Sequence, residues 1–157
     1  MRKGHVIVAS TRAASGSLTD TSGPRAVDFL RAQGIDTPDA AVVADADIAQ
    51  AVDAALASAP SVLLTSGGTG ITGDDQTVEA VERHIVKHLP GIVHAFWAEG
   101  LKHTPTAIAS RAVAGMTTHG TFVMTLPGSR GGVKDGCAVL EPVLGHLLDL
   151  AEGNREH

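Results

Sequence analysis

The sequence predicts one α/β domain, spanning residues 1–157, with a mostly parallel sheet and helices on both faces. Three observations carry that expectation. Strand-like and helix-like segments alternate three times before Pro90, a pattern that parallel strands with crossover helices satisfy. Glycine clusters follow the strand-like runs, where such folds place their loops. At 157 residues the chain fits one domain and buries roughly 70% of its unfolded surface without staples. With 43% hydrophobic residues but only three Phe, one Trp and no Tyr, the core must be aliphatic and alanine-rich.

The first element is a buried strand at Val6-Ile7-Val8, bounded by Gly4 and a polar segment from Ser10 to Ser22. Ser22-Gly23-Pro24 supplies a helix start with Ser22 as N-cap, Ala26, Val27 and Leu30 give one apolar face, and Gly34 is the stop. Ala40 to Val43 is the second strand. Asp47 then caps a helix in which Ile48, Ala51, Val52, Ala55, Leu56 and Ala59 keep helical spacing until Pro60. Ser61 to Thr65 is a third strand, and Val78, Val81, Ile85 and Leu89 mark a third helix closed by Pro90-Gly91. A short helix at Ile92 to Leu101 carries Phe96 and Trp97, which suit packing between subunits. Phe122 to Leu126 is the last strand. Val133 to Leu148 outlines a terminal helix that Pro142 should kink or split.

Composition excludes several functions. A net charge of −5 argues against nucleic acid as a partner, because phosphate neutralisation needs clustered Lys and Arg. No run of about 18 apolar residues exists to span a membrane. Behind Arg2 and Lys3 the apolar run is too short for a secretory leader, so the expected address is cytoplasmic. The single Cys137 forbids an intrachain disulfide and reads as a small buried hydrophobe.

Four strand ends offer ligand-binding positions: Ser10-Thr11-Arg12, Asp45, Ser66 to Asp75, and Pro127 to Gly132. Gly68 to Gly73 matches the dinucleotide pattern G-x-G-x-x-G by letter, but it follows the third strand, and Asp74 and Asp75 would repel an uncompensated pyrophosphate. The same aspartates suit a magnesium-bridged nucleotide. Asp45 and Asp75, from consecutive units, can face one cleft, and two carboxylates beside glycine amides serve metal-assisted phosphoryl or nucleotidyl transfer. The alternative is that both are helix caps and the glycines only tight turns. His84 and His88 stand four apart on the expected third helix, but no glutamate completes a zincin motif, and both are expected to be exposed, like His94 and His103.

Ser66-Gly67-Gly68-Thr69-Gly70 followed by Asp75, Thr77 and Glu79-Ala80 resembles the molybdopterin-binding family that includes the molybdopterin adenylyltransferases and their MoaB-like paralogues. The resemblance spans nearly the whole chain. It extends to Ser10-Thr11-Arg12, Asp20, Ser22-Gly23, Val43-Ala44-Asp45, Pro90-Gly91, Pro105-Thr106, Ser110-Arg111 and Leu126-Pro127-Gly128-Ser129. It implies a three-layer α/β/α domain, usually a trimer, that takes ATP and molybdopterin as substrates. With Mg²⁺ such enzymes adenylate the terminal phosphate of molybdopterin and release pyrophosphate before a partner enzyme inserts molybdate.

Carried over by motif, Asp45 and Asp75 match the two functional, Mg²⁺-associated aspartates. Ser10, Arg12, Gly67, Gly68, Thr69, Gly70, Pro127, Gly128 and Ser129 fall in ligand-binding loops, and Ser110 lies on the pterin side. The sequence leaves the pattern at Gly73-Asp74 and at Arg130, where proline usually stands. Arg130, just before a helix N-terminus, is placed to contact a phosphate, the alternative being a solvated surface arginine. The Ile71 to Gln76 stretch is similar to MoaB-type loops, which need not be catalytic, whereas Pro127 to Ser129 and Gly131 to Gly136 are more like adenylyltransferase chains.

Overall fold

The computed structural model describes residues 1–154, so the last three residues of the expected 1–157 domain lie outside the described residues. In chain order the elements are β1 (Gly4–Ala9), α1 (Thr11–Ala14), α2 (Ser22–Ala32), β2 (Ala41–Val43), α3 (Ile48–Ala57), β3 (Val62–Ser66), α4 (Thr77–Glu82), β4 (Ile85–His88), α5 (Pro90–Leu101), β5 (Ala114–Thr117), β6 (Phe122–Leu126), α6 (Arg130–Leu140) and α7 (Leu144–Ala151). Short 3₁₀ turns lie at Asp45–Asp47 and Pro105–Ala109.

The strands form one six-stranded sheet in the order β2-β1-β3-β6-β5-β4. β1 is parallel to β2 and β3, β3 is parallel to β6, and β5 is antiparallel to both β6 and β4. Strand side chains alternate between two cores, as a period of two requires. Val6, Val62, Leu64, Phe122, Met124 and Leu126 point to a face covered by α2, α5, α6 and α7. Ile7, Leu63 and Val123 point to the other, covered by Ile48 and Val52 of α3 and Ala80 and Val81 of α4. Helices on both faces of a mostly parallel sheet make the expected three-layer α/β domain. Among the described residues no helix is long and apolar enough to cross a membrane.

Local details depart from expectation. The third helix stops at Glu82, and Ile85–His88 is a strand. The helical spacing of Val81, Ile85 and Leu89 is overridden by antiparallel pairing with β5, where Gly115 makes room: a Cβ there would sit 2.4 Å from Ile85 Cγ2. His84 and His88 therefore do not share a helix. His84, half-buried, meets Asp53, whereas exposed His88 lies beside Glu82. Pro90 opens α5 instead of closing the preceding helix, because its missing N–H is harmless in a first turn. Phe96 is buried in the chain's own core, not held out for a subunit contact. Trp97 packs at the edge of that core and donates its indole N–H to the Ser110 carbonyl at 3.0 Å.

Helix caps also shift. α2 starts at Ser22, and its free amides are met by Asp20, which accepts from the N–H groups of Ser22 at 3.1 Å and Gly23 at 3.0 Å. A carboxylate at a helix start gains from both the hydrogen bonds and the helix dipole. Asp47 holds the N-cap position of α3 but makes no capping bond there. Pro142 does split the terminal segment, since α6 ends at Leu140 and α7 begins at Leu144. Half-buried Cys137 packs against the larger core, where burial pushes its thiol up to about 11.

Candidate functional site

The carboxyl ends of β1, β3 and β6 and the turn after β2 converge on a cleft of about 350 Å³. Ser10, Thr11, Arg12, Asp45, Gly67, Gly68, Thr69, Gly70, Asp75 and Gly128 line it. Gly67 is where the three loops meet. Its φ is +91°, and a Cβ would stand 2.3 Å from the Ala9 carbonyl oxygen, so only glycine lets the loop after β3 cross so close to β1. Gly68, at φ +72°, lies against buried Thr77 in the same way. Beneath the loops, the buried Ser66 hydroxyl lies 2.9 Å from Ser22 Oγ and 3.1 Å from the Pro127 carbonyl. Ser22 in turn donates to Asp20, so a continuous polar chain ties the start of α2 to the loops after β3 and β6.

Both carboxylates are positioned through one oxygen. Asp45 Oδ2 accepts from Thr11 Oγ1 at 2.9 Å, and Thr11 Oγ1 accepts from the Asp45 amide at 3.1 Å, which ties α1 to the turn after β2. Asp75 Oδ2 accepts from the Thr72 hydroxyl at 2.7 Å and amide at 3.0 Å. Those bonds, with help from the Gly70 amide and the Arg111 charge, hold the Asp75 carboxyl below its ordinary value against a smaller opposing effect of burial. Two carboxylates lining one cleft are hard-oxygen donors of the kind that suit Mg²⁺, which takes one or two carboxylates together with substrate phosphate oxygens. Exposed Arg12 is the cation among the lining residues and has no side-chain partner among the described residues.

Arg111 holds the loop that presents Asp75. Its Nε donates to the Gly70 carbonyl at 2.8 Å and its Nη2 to the Asp75 carbonyl at 3.1 Å, while Nη1 pairs with Glu79 on α4. The pair lowers the Glu79 carboxyl and raises the Arg111 guanidinium from their ordinary values. Next to it, Ser110 Oγ donates to Thr69 Oγ1 at 3.1 Å, and the Arg111 amide bonds the Thr69 carbonyl at 2.9 Å.

On the far side of Thr69 and Gly70 lies a second, largely apolar pocket of about 390 Å³. Phe96 and Gly100 of α5, Ala107 and Ala109, Ser110, Pro127, Ser129 and Asp135 are among its walls. Ser129 also caps α6, its Oγ accepting from the Gly132 amide at 3.0 Å. The two cavities adjoin, with Thr69 and Gly70 in the lining of both.

The model of a family described as a probable molybdopterin binding domain matches residues 5–146. The chain belongs to the molybdopterin-binding domain family. A bifunctional molybdenum cofactor biosynthesis protein of Synechococcus elongatus is 37% identical over 150 residues, covering 94% of this chain and 47% of that one. The chain thus spans about half the length of the bifunctional relatives it matches. Molybdenum cofactor biosynthesis protein B of Staphylococcus aureus is 33% identical over 138 residues, 83% of this chain and 82% of that one. A molybdopterin adenylyltransferase of Helicobacter pylori is 34% identical over 93 residues, 59% of this chain and 52% of that one. Among solved structures, the molybdopterin biosynthesis Mog protein of Mycobacterium ulcerans superposes with a TM-score of 0.89 at 39% identity, covering 96% of this chain and 99% of that one. Membership places the chain in molybdenum cofactor biosynthesis.

In this member of the molybdopterin-binding family, the structure gathers Ser10, Arg12, Asp45, Gly67, Gly68, Thr69, Gly70, Asp75 and Gly128 at the cleft, and Ser110, Pro127 and Ser129 at the apolar pocket. Arg130 lines neither. As the first residue of α6 it lines a separate pocket with Thr21, Arg25 and Asp28 at the start of α2. It forms no ion pair with Asp74. The Arg111 clamp, the Asp20–Ser22–Ser66 chain beneath the loops and Asp135 are features that the sequence pattern alone does not reveal. The Ser110-Arg111 pair was visible as a motif, but its partners lie about forty positions away in the chain.

Proposed function

We propose that this chain is a molybdopterin adenylyltransferase, joining the terminal phosphate of molybdopterin to the α-phosphorus of ATP with release of pyrophosphate. The observation that carries this reading is the presence of Asp45 and Asp75 in one glycine-lined cleft that adjoins an apolar pocket at Thr69 and Gly70. ATP phosphates lie against the Gly67–Gly70 amides and Arg12, and the pterin end occupies the pocket beside Ser110, Pro127 and Ser129. A molybdopterin phosphate oxygen attacks the α-phosphorus, a new P–O bond forms, and the bond to the pyrophosphate oxygen breaks, so no oxidant or added base is consumed. Asp45 and Asp75 would hold Mg²⁺, which would supply charge neutralisation for the phosphates. Arg111 keeps Asp75 in place, and Thr11 does the same for Asp45.

Pyrophosphate release from ATP, strictly dependent on both Mg²⁺ and molybdopterin, is the expected result. Tight molybdopterin binding without turnover would instead establish a binding-only paralogue, the reading that the likeness to the Staphylococcus protein B favours. The adenylated product then passes to a molybdate-inserting enzyme, consistent with the bifunctional relatives, in which the matched half is joined to a second one. A homotrimer in the cytoplasm completes the proposal, and sedimentation of the purified chain at micromolar concentration is the check on assembly.

A further inference from the structure

Asp135 is a carboxylate without a donor. It lies on α6 and is only 8% exposed, among the apolar walls of the second pocket. Among the described residues it accepts no hydrogen bond, and the one ion-pair partner in reach is the His103 ring, whose Nε2 stands 3.6 Å from Oδ1. Its other oxygen faces Gly100, where a Cβ would come within 3.9 Å of Oδ2. A buried carboxylate lacking donors is costly, and this one is left open on the cavity side, where a ligand's N–H groups can satisfy it.

We propose that Asp135 reads the amino-oxo edge of the pterin ring, accepting hydrogen bonds from ring N3–H and from the 2-amino group. This rests on the reading of the chain as a molybdopterin-binding enzyme and adds the residue that selects the ring. Two adjacent N–H donors match the two oxygens of a carboxylate, and charge-assisted pairs in a water-poor pocket are the strong ones. Besides the largely exposed His103 ring, the pocket otherwise offers hydroxyls, glycine backbone and apolar surface, so Asp135 is the carboxylate in its lining that can accept from two adjacent N–H groups. Glu99 and His103 approach Asp135 closely enough to raise a cation site as the competitor. Glu99, however, is already paired with Lys102 Nζ at 2.8 Å, and the His103 side chain is 63% exposed.

The test is equilibrium binding of three probes, molybdopterin, 6-hydroxymethylpterin and its 2-oxo counterpart 6-hydroxymethyllumazine, to the wild-type chain and to Asp135→Asn and Asp135→Glu. Thermal melts verify that each variant folds, and each titration is repeated with a chelator. The wild type is expected to prefer the pterin to the lumazine at least tenfold. Asp135→Asn, which turns an N–H toward N3–H, is expected to lose that preference and weaken molybdopterin at least tenfold, with ATP affinity unchanged and partial recovery in Asp135→Glu. Equal pterin and lumazine affinity in the wild type, or molybdopterin affinity unaltered in Asp135→Asn, would overturn the assignment, as would a wild-type preference abolished by the chelator, which would make Asp135 a metal ligand. Failure of the wild type to bind molybdopterin at all would instead remove the adenylyltransferase reading on which the proposal rests.

Discussion

The cleft and the apolar pocket share Thr69 and Gly70 but are made in different ways. The cleft is built from backbone and short side chains at the ends of neighbouring parallel strands, and its charged groups are fixed by local hydrogen bonds such as Thr11 to Asp45 and Thr72 to Asp75. The pocket is built by helices: α5 and α6 and the turn at Pro105–Ala109 bring Phe96, Ala107 and Asp135 together from distant parts of the chain. Parallel strand ends hold polar groups where charge is to be stabilised, whereas helix sides supply a shape. The first region should therefore govern turnover and the second the choice of ligand.

The largest effect is expected where that division is sharpest. Asp45→Asn and Asp75→Asn should each lower kcat by about 100-fold or more, the usual scale for losing a preorganised charge in a transfer site, while thermal midpoints stay close to the parent. Steady-state pyrophosphate assays beside melting curves check this, and unchanged turnover in both variants would reduce the aspartates to structural groups.

Arg111→Ala comes next, because it frees the carbonyls of Gly70 and Asp75 at once. A loss of about tenfold in kcat is expected, corresponding to about 1.4 kcal/mol, with a smaller change in molybdopterin affinity. An equal loss in the binding of both substrates would show that Arg111 supports the whole scaffold, not the Asp75 loop alone.

A smaller effect concerns acid. Because the folded Asp75 carboxyl titrates below its ordinary value of 3.8, its ionised form contributes stability that is present above 3.8 and lost as the pH falls through the lowered value. Asp75→Asn should flatten that part of the acid-unfolding profile, as circular dichroism would record, lying slightly below the parent at neutral pH and converging with it in acid.

Legibility in the sequence follows the same division. β1, β3, β6, α2 and α3 were readable because each buries a continuous or regularly spaced aliphatic set. Asp45, Asp75 and the Gly67–Gly70 loop were readable for a related reason: they follow those strands directly. What escaped was set by contacts remote in sequence. β5 carries Gly115 opposite β4, so its pairing, not its own periodicity, makes it a strand, and Ile85 follows it out of the helix that its spacing suggested. Asp135 looks like any polar position on a helix until α5 closes over it. Arg130 resembles a loop residue facing a ligand in the sequence, whereas in the fold it opens α6 and lies with Thr21, Arg25 and Asp28.

The smallest effect tests that last point. With Arg130 beside Thr21, Arg25 and Asp28, Arg130→Ala should change ATP and molybdopterin affinities by less than about threefold, under roughly 0.7 kcal/mol. Calorimetric titration showing a tenfold loss would mean that the cleft extends over the start of α2.

Nucleotidyl transfer to a ligand seated in the adjoining pocket is expected to depend on the two cleft carboxylates, Asp45 and Asp75. Its most direct test uses ATP labelled at the α-phosphate, incubated with the chain, Mg²⁺ and molybdopterin, followed by separation of the products. Label is expected in an adenylated molybdopterin with an equal amount of pyrophosphate, and in neither when Asp45 or Asp75 is replaced by Asn. Molybdopterin bound by the chain with no label transferred, or label released as AMP without molybdopterin, would contradict the account.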